Sequence, residues 1–376
     1  MTGLGHLEFN SGILNYLSSI KNVHFYGEKS LVKNIQLKMI DNAYIKTSSF
    51  FFPEANSKIK LLLREILGII YLTLLFLYNY RERKKSTLIF LSIIPLTHLY
   101  CKFLNVLFKY EIKIFLHGEM EALNPKNKMI SVKYYYRFSC IALKMQNYRF
   151  SYFVLGESIM SNIKKIAGVR NIDFIDHPYS LVNNEFENLK TSNKTEYTFG
   201  TVGRAIAGEK NSQLIFQLAN EVQSTKNLIS ANFEIAGSIS KEILEYANEK
   251  VSYHLSSTML GQEEFIKKVL KLDFILFFYS KDAYQFSASG AFFDCVKFET
   301  PIIAIKNNFF LYYFEKYGDI GLLAENYDEL KFAIIDLLNI QSDELERKIL
   351  SFKLNLRKMK KDLLTNNFSL DKIVFN

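Results

Sequence analysis

Tryptophan is absent from the chain, and cysteine and proline are scarce, with three and five among 376 residues. Cys101, Cys140 and Cys295 lie far apart, so they form neither a disulfide framework nor a zinc spacing. So few thiols, odd in number, suit a reducing compartment. His6, His24, His98, His177 and His254 are scattered without ligand spacing, and no structural metal is expected. The first ten residues, MTGLGHLEFN, lack the basic start and apolar core of a secretory signal. The patterns G-x-x-x-x-G-K-[ST], G-x-G-x-x-G and G-x-S-x-G are missing. Their absence argues against a P-loop, a dinucleotide fingerprint and a nucleophile elbow.

Long apolar runs are lacking too. The most apolar one, Ile66 to Tyr78, has about 13 residues, short of the roughly 20 that a membrane span needs. Arg64 and Glu65 precede it, and Arg81-Glu82-Arg83-Lys84-Lys85 follow. We expect a buried helix with a solvated polar end. The competing reading is an interfacial segment whose basic patch faces anionic lipid.

What is present is an ordinary globular chain, 49% apolar, with 47 Lys plus Arg against 38 Asp plus Glu. The length suits about two domains. The net charge of +9 fits an anionic ligand, a membrane surface or nucleic acid without separating them. No basic helix or aromatic RNA motif supports nucleic acid. Short apolar runs alternate with stretches of helical spacing. Val23–Tyr26, Leu88–Ile94, Lys113–Leu116, Tyr152–Leu155 and Ile172–Ile175 read as strands. Lys58–Tyr80, Leu96–Phe108, Lys128–Gln146 and Glu157–Lys165 read as helices. The polar stretch from Leu181 to Glu196 is the best linker. Beyond it the strands Tyr197–Val202, Phe233–Ala236, Val251–Leu255, Phe274–Tyr279, Ile302–Ile305 and Gly321–Ala324 resume the alternation. Helical spacing returns at Ser212–Thr225, Lys241–Asn248, Gln262–Leu270, Gly290–Phe298, Phe309–Tyr317, Tyr327–Leu338 and from Asp343 to about Leu364. This predicts an α/β chain of two Rossmann-like domains, with parallel sheets facing a cleft. The domains are 1–180 and 197–376, joined by 181–196, with the last helix packing back on the first domain.

Ligands of such sheets bind beyond the carboxyl ends of the strands, so the loops after strands carry the chemistry. Thr201 to Asn211, TVGRAIAGEKN, offers Gly203, Arg204, Gly208 and Lys210 before a helix. Glycine lets backbone approach a ligand, arginine grips phosphate oxygens bidentately and lysine adds a point charge. The plain alternative is a turn with two solvated cations. Ser287, Ser289 and Gly290 open another helix, whose first N–H groups and dipole suit a phosphate. Asp294 lies one turn further and could accept from a sugar hydroxyl. The plain alternative there is a capped surface helix. Together the two loops favour a nucleotide diphosphate.

These residues resemble the donor domain of GT-B glycosyltransferases over roughly Thr198 to Glu325. Val202-Gly203-Arg204, Lys210 and Leu214 match one family segment. Ser289-Gly290, Asp294 and Pro301-Ile302-Ile303 match another. The resemblance implies that Arg204 and Lys210 hold the donor diphosphate, helped by the Ser289-Gly290 amides, while Asp294 holds the ribose. It places base contacts at Ser256–Leu260. Many retaining members carry E-x7-E; Asp294 matches its second acid, and Phe286 stands at the first. Retention and inversion both stay open. Gly3 to Leu14 resembles the family's first glycine-containing loop, with Gly5 and His6 beside donor and acceptor. A strand ordinarily precedes that loop, and it is expected to be missing or replaced here. Phe115 to Glu121, FLHGEME, resembles the loop carrying a functional histidine, which makes His117 the catalytic candidate. Glu119 or Glu121 would be the base of an inverting enzyme. No metal is implied, in keeping with the absence of D-x-D.

The implied activity is transfer of a sugar, a hexose by expectation, from a nucleotide diphosphate to a glycan or lipid-linked acceptor in bacterial surface polysaccharide synthesis. The implied place is cytoplasmic, peripheral at the inner face of the membrane, with no nucleic-acid partner. A sugar-nucleotide epimerase, or a non-catalytic nucleotide-sugar binding protein, is the alternative.

Overall fold

A computed structural model describes residues 7–39, 45–53, 57–123, 130–175, 194–226, 228–255, 260–365 and 370–373. The chain divides into two compact units. The first contains Met1–Ser180, Gln285–Ala288 and Thr365–Asn376; the second contains Leu181–Tyr284 and Ser289–Leu364. Most of the expected linker lies outside the described residues.

The first unit opens with α1 (Leu7–Ile20), β1 (Val23–Glu28), α2 (Lys29–Lys38) and β2 (Ile45–Phe50). Of these, only β1 was expected. The Asn, Ser and Gly of α1 read as loop, but Phe9, Ile13 and Leu17 recur at helical spacing and are buried. That burial overrides the weak local propensity. In α2, Glu28 accepts from the Ser30 and Leu31 amides and caps the helix. β1 and β2 pair in parallel as a small sheet.

The unit continues with α3 (Lys58–Tyr78), β3 (Thr87–Phe90), α4 (Pro95–Phe108), β4 (Glu111–Phe115), α5 (Ile130–Lys144), β5 (Phe150–Val154), α6 (Glu157–Ala167) and β6 (Ile172–Phe174). The strands form a parallel sheet in the order β3-β4-β5-β6. Its core runs through Ile112, Ile114, Tyr152, Val154 and Ile163. Leu370 and Ile373 pack with Phe9 and Ile13 in a second cluster of this unit.

Helix α3 ends two residues before the expected limit at Tyr80 and is not a buried helix. Its inner face is pinned to α4, whose own start has no side-chain cap at Ile94. Glu65 takes that role from the neighbouring helix. Its carboxylate accepts from the Leu96 and Thr97 amides at 3.1 and 2.9 Å and from the Thr97 hydroxyl at 2.9 Å. A negative charge is favoured at a helix start. Gly68 permits the approach, because a Cβ there would lie 2.5 Å from Thr97 Oγ1. Leu72 and Phe76 complete the packed face. Ile59, Leu62, Leu63, Ile66, Ile70, Leu74, Leu77 and Tyr78 are exposed.

The second unit contains β7 (Glu196–Val202), α7 (Leu214–Gln223), β8 (Ser230–Ala236), β9 (Val251–Ser252), α8 (Gln262–Val269), β10 (Phe274–Phe277), α9 (Gly290–Phe298), β11 (Ile302–Ile305), α10 (Asn308–Tyr317), β12 (Gly321–Ala324), α11 (Tyr327–Asn339) and α12 (Ser342–Thr365). Lys241–Tyr246 is 3-10 rather than α-helical, and β9 is shorter than its apolar run. The strands are all parallel, in the order β12-β11-β10-β7-β8-β9. Renumbered from β7, that is the Rossmann order 3-2-1-4-5-6. Phe233, Phe199 and Phe274 stack rung to rung across the three central strands, with ring centroids 5.8 and 5.4 Å apart. The chain winds outward from β7 in one direction, then returns to β10 and winds in the other. The crevice of this sheet therefore lies at the carboxyl ends of β7 and β10.

Candidate functional site

In the second unit the loop after β7 is built at that switch point. Gly203 and Gly208 have φ of +79° and +76°, values that side chains with a Cβ resist. The Gly203 amide donates to the Ala236 carbonyl at 3.0 Å, and the Ala205 amide to the Ser238 carbonyl at 2.8 Å. Gly237 lets the two loops touch, since a Cβ there would lie 1.8 Å from the Gly203 oxygen. On the other side the Ser280 amide donates to the Glu209 carbonyl at 2.9 Å, and Asn211 Nδ2 to the Phe278 carbonyl at 3.1 Å. The Ala207 amide donates to Glu242 at 3.2 Å. The loop is thus tied to the loop after β8 and to the end of β10.

This frame holds Lys210 half-buried, its ammonium donating to the Arg204 carbonyl at 3.1 Å. Burial lowers the Lys210 pKa and the Arg204 charge lowers it further, while Asp294 acts in the opposite direction. Lys210 therefore senses both Arg204 and Asp294, although 84 residues separate it from the acid in sequence. Two cations held together at the mouth of a sheet form a place for an anion.

Helix α9 starts at the same end of the sheet. Ser289 is its N-cap and accepts from the Phe292 amide at 3.4 Å. Its hydroxyl also shares a 3.1 Å hydrogen bond with Tyr279, whose pKa burial raises well above the phenol range. Tyr279 is therefore a neutral phenol that fixes the cap. A Cβ on Gly290 would meet nothing within 4 Å, so the first turn opens on free space. Asp294 is 9% exposed, one turn in. Gly203, Arg204, Lys210, Ser289, Gly290 and Asp294 thus belong to one end of the second unit. Sequence reasoning did not single out Gly237, Asn211 or Tyr279, which position them. The Gly237-Ser238 pair directly after β8 was the readable signal.

Ser287 behaves differently. Gln285–Ala288 belongs to the first unit, where the Phe286 amide and the Ser287 hydroxyl donate to Glu121 Oε1 at 2.8 and 2.9 Å. Phe286 is 1% exposed and joins the first unit's core. Phe286 is therefore a packing residue. Glu121 is an acceptor for this segment.

His117 follows β4 and is 2% exposed. Its Nε2 lies 2.8 Å from the Leu91 carbonyl. A carbonyl only accepts, so Nε2 carries the proton. Phe9 of α1 meets the ring edge-on at 4.4 Å. The Glu119 side chain, Gly5, His6 and most of Ser256–Leu260 lie outside the described residues. Among the described residues, no cluster of three or more His, Cys, Asp or Glu is arranged to hold a metal.

No family model and no curated protein match the chain. Solved structures do. HepE from Anabaena, solved with UDP, shares 12% identity at a TM-score of 0.64, covering 99% of this chain and 96% of that one. Sucrose-phosphate synthase from Thermosynechococcus elongatus shares 11% at 0.63, covering 97% and 90%. TarM shares 17% at 0.56; the match takes in 82% of this chain but only 58% of TarM. At such identities the likeness is one of fold. The fold is GT-B, with two Rossmann-like domains.

Proposed function

We propose that this protein is a glycosyltransferase that takes its sugar from a nucleoside diphosphate held by the second unit. The observation that supports it most is the convergence of Arg204, Lys210 and the start of α9 at the β7–β10 switch point. Transfer breaks the bond between the sugar's anomeric carbon and the diphosphate oxygen. It makes a bond from that carbon to an acceptor hydroxyl, whose proton leaves to a base. Negative charge grows on the departing diphosphate, where fixed cations and aimed N–H groups lower the barrier. Arg204 and Lys210 would bind that diphosphate, and the Gly290 turn would add amide donors. Asp294 would accept from a ribose hydroxyl. These groups supply positive charge themselves, so the proposal requires no divalent ion. UDP is the first nucleotide to try, since HepE was solved with it.

In the same proposal the first unit takes the acceptor, a glycan or lipid-linked glycan of surface polysaccharide synthesis. His117, Gly5 and His6 are the acceptor-side residues and Glu119 the candidate base. The work would be done in the cytoplasm, at the inner membrane face. The test is UDP release from a panel of UDP-hexoses, with and without acceptor glycans and in the presence of EDTA. Release that depends on acceptor, persists in EDTA and is lost in folded Arg204→Ala supports the proposal. Interconversion of the free sugar nucleotide without acceptor would identify an epimerase instead.

A further inference from the structure

The outer face of α3 is the largest feature that the nucleotide site does not use. Ile59, Leu62, Leu63, Ile66, Ile70, Leu74, Leu77 and Tyr78 are each between 41% and 81% exposed. Their spacing of three and four residues puts them on one stripe, about 30 Å long at 1.5 Å per residue. Only 22% of the helix's most apolar 18-residue window is buried. The C-terminal end of α4, which runs alongside α3, adds Phe103, Val106 and Leu107, between 57% and 76% exposed. Isolated surface apolar residues are normal, whereas a contiguous face of this size marks a binding surface. The face is not the helix's core side left open. Glu65, Leu72 and Phe76 already occupy that side.

The charges around the stripe favour one occupant. Lys58 and Lys60 stand at its start. Arg81, Arg83, Lys84 and Lys85 stand just past its end. Between 58 and 85 the only acids are Glu65 and Glu82, and Glu65 is 1% exposed and occupied with α4. Exposed Tyr78 and Tyr80 sit where the apolar stripe meets the basic cluster, with the Arg83 guanidinium 4.0 Å from the Tyr80 ring centre. Amphipathic rings and long cationic side chains suit the boundary between acyl chains and headgroups. Two copies pairing through these stripes would set cation against cation at either end. Crossing a bilayer would require tearing Leu72, Phe76 and the Glu65 cap away from α4.

We infer that this face seats the protein on an anionic phospholipid bilayer, with α3 lying in the plane of the surface. The inference rests on α3 and α4 and is independent of the nucleotide site, so either can fail alone. The test is flotation with vesicles of phosphatidylcholine, and of phosphatidylcholine mixed with phosphatidylglycerol. The wild type is expected to float with the anionic vesicles only, and less so as salt rises. Neutralising Arg81, Arg83, Lys84 and Lys85 to Gln is expected to weaken binding by roughly 100-fold or more. Ile70→Gln, Leu74→Gln and Leu77→Gln together should abolish it and leave the cooperative thermal unfolding transition intact. Because the chain has no tryptophan, Tyr78→Trp gives a sole reporter, and its emission should shift to the blue on anionic vesicles. A folded wild type that stays with the soluble fraction, or binds neutral vesicles equally well, would overturn the inference. So would dimerisation without lipid that the Gln triple variant abolishes.

Discussion

Lys210 is an ammonium group held where burial and a neighbouring guanidinium both oppose its charge. Its pKa is lower in the folded chain than in the unfolded one. The protonated form therefore destabilises the fold at all pH values below the folded pKa. That penalty is relieved as pH rises from the folded to the unfolded pKa. Lys210→Met should accordingly raise the melting temperature of the ligand-free protein at neutral pH while removing its response to UDP. Calorimetry with and without nucleotide checks both. Asp294 counteracts the shift, so Asp294→Asn should depress the Lys210 pKa further and weaken nucleotide binding. Gly237→Ala should cost roughly 1–3 kcal/mol by overpacking, because the new Cβ would lie 1.8 Å from the Gly203 oxygen. Its UDP affinity should fall as well, since the displaced carbonyl belongs to the loop that carries Arg204 and Lys210. At this scale the charged residues were readable in the sequence and their supports were not. Arg204 and Lys210 announce themselves as cations beside glycines. Tyr279 looks like the end of an apolar strand until its hydroxyl meets Ser289. Ser287, read as part of the helix start, instead donates to Glu121.

Helix α3 shows what pattern reveals about an element. Its limits were legible within two residues, because the apolar run and its polar flanks mark them. Its buried face was not, because apolar residues surround most of the helix. The one acid inside it proves to be a buried cap for α4. Glu65→Ala should remove a charged acceptor from two amides and a hydroxyl, costing roughly 2–3 kcal/mol, measured by denaturant unfolding. Glu65→Gln should recover part of that loss, since the side-chain carbonyl can still accept. Helix α1 was missed for the opposite reason. Its Asn, Ser and Gly content hid a stripe whose burial against Phe115 and Phe153 forms the helix.

Across the whole molecule, alternation of strands and helices was enough to give parallel sheets and two Rossmann-like units. The 3-2-1-4-5-6 order of the second sheet cannot be read from periodicity, which says nothing about which side of β7 receives β10. That return of the chain makes the crevice, and it brings Lys210 and Asp294 into one field. The short segments Gln285–Ala288 and Thr365–Asn376 belong to the first unit; they carry too few residues to show a period. The central claim is that this crevice binds a nucleoside diphosphate. Isothermal titration of UDP into wild type and into Arg204→Ala tests it most directly. The account predicts one site in the wild type and at least tenfold weaker binding in the variant, or about 1.4 kcal/mol. Equal affinity in the two proteins, or no heat with a folded wild type, would contradict it.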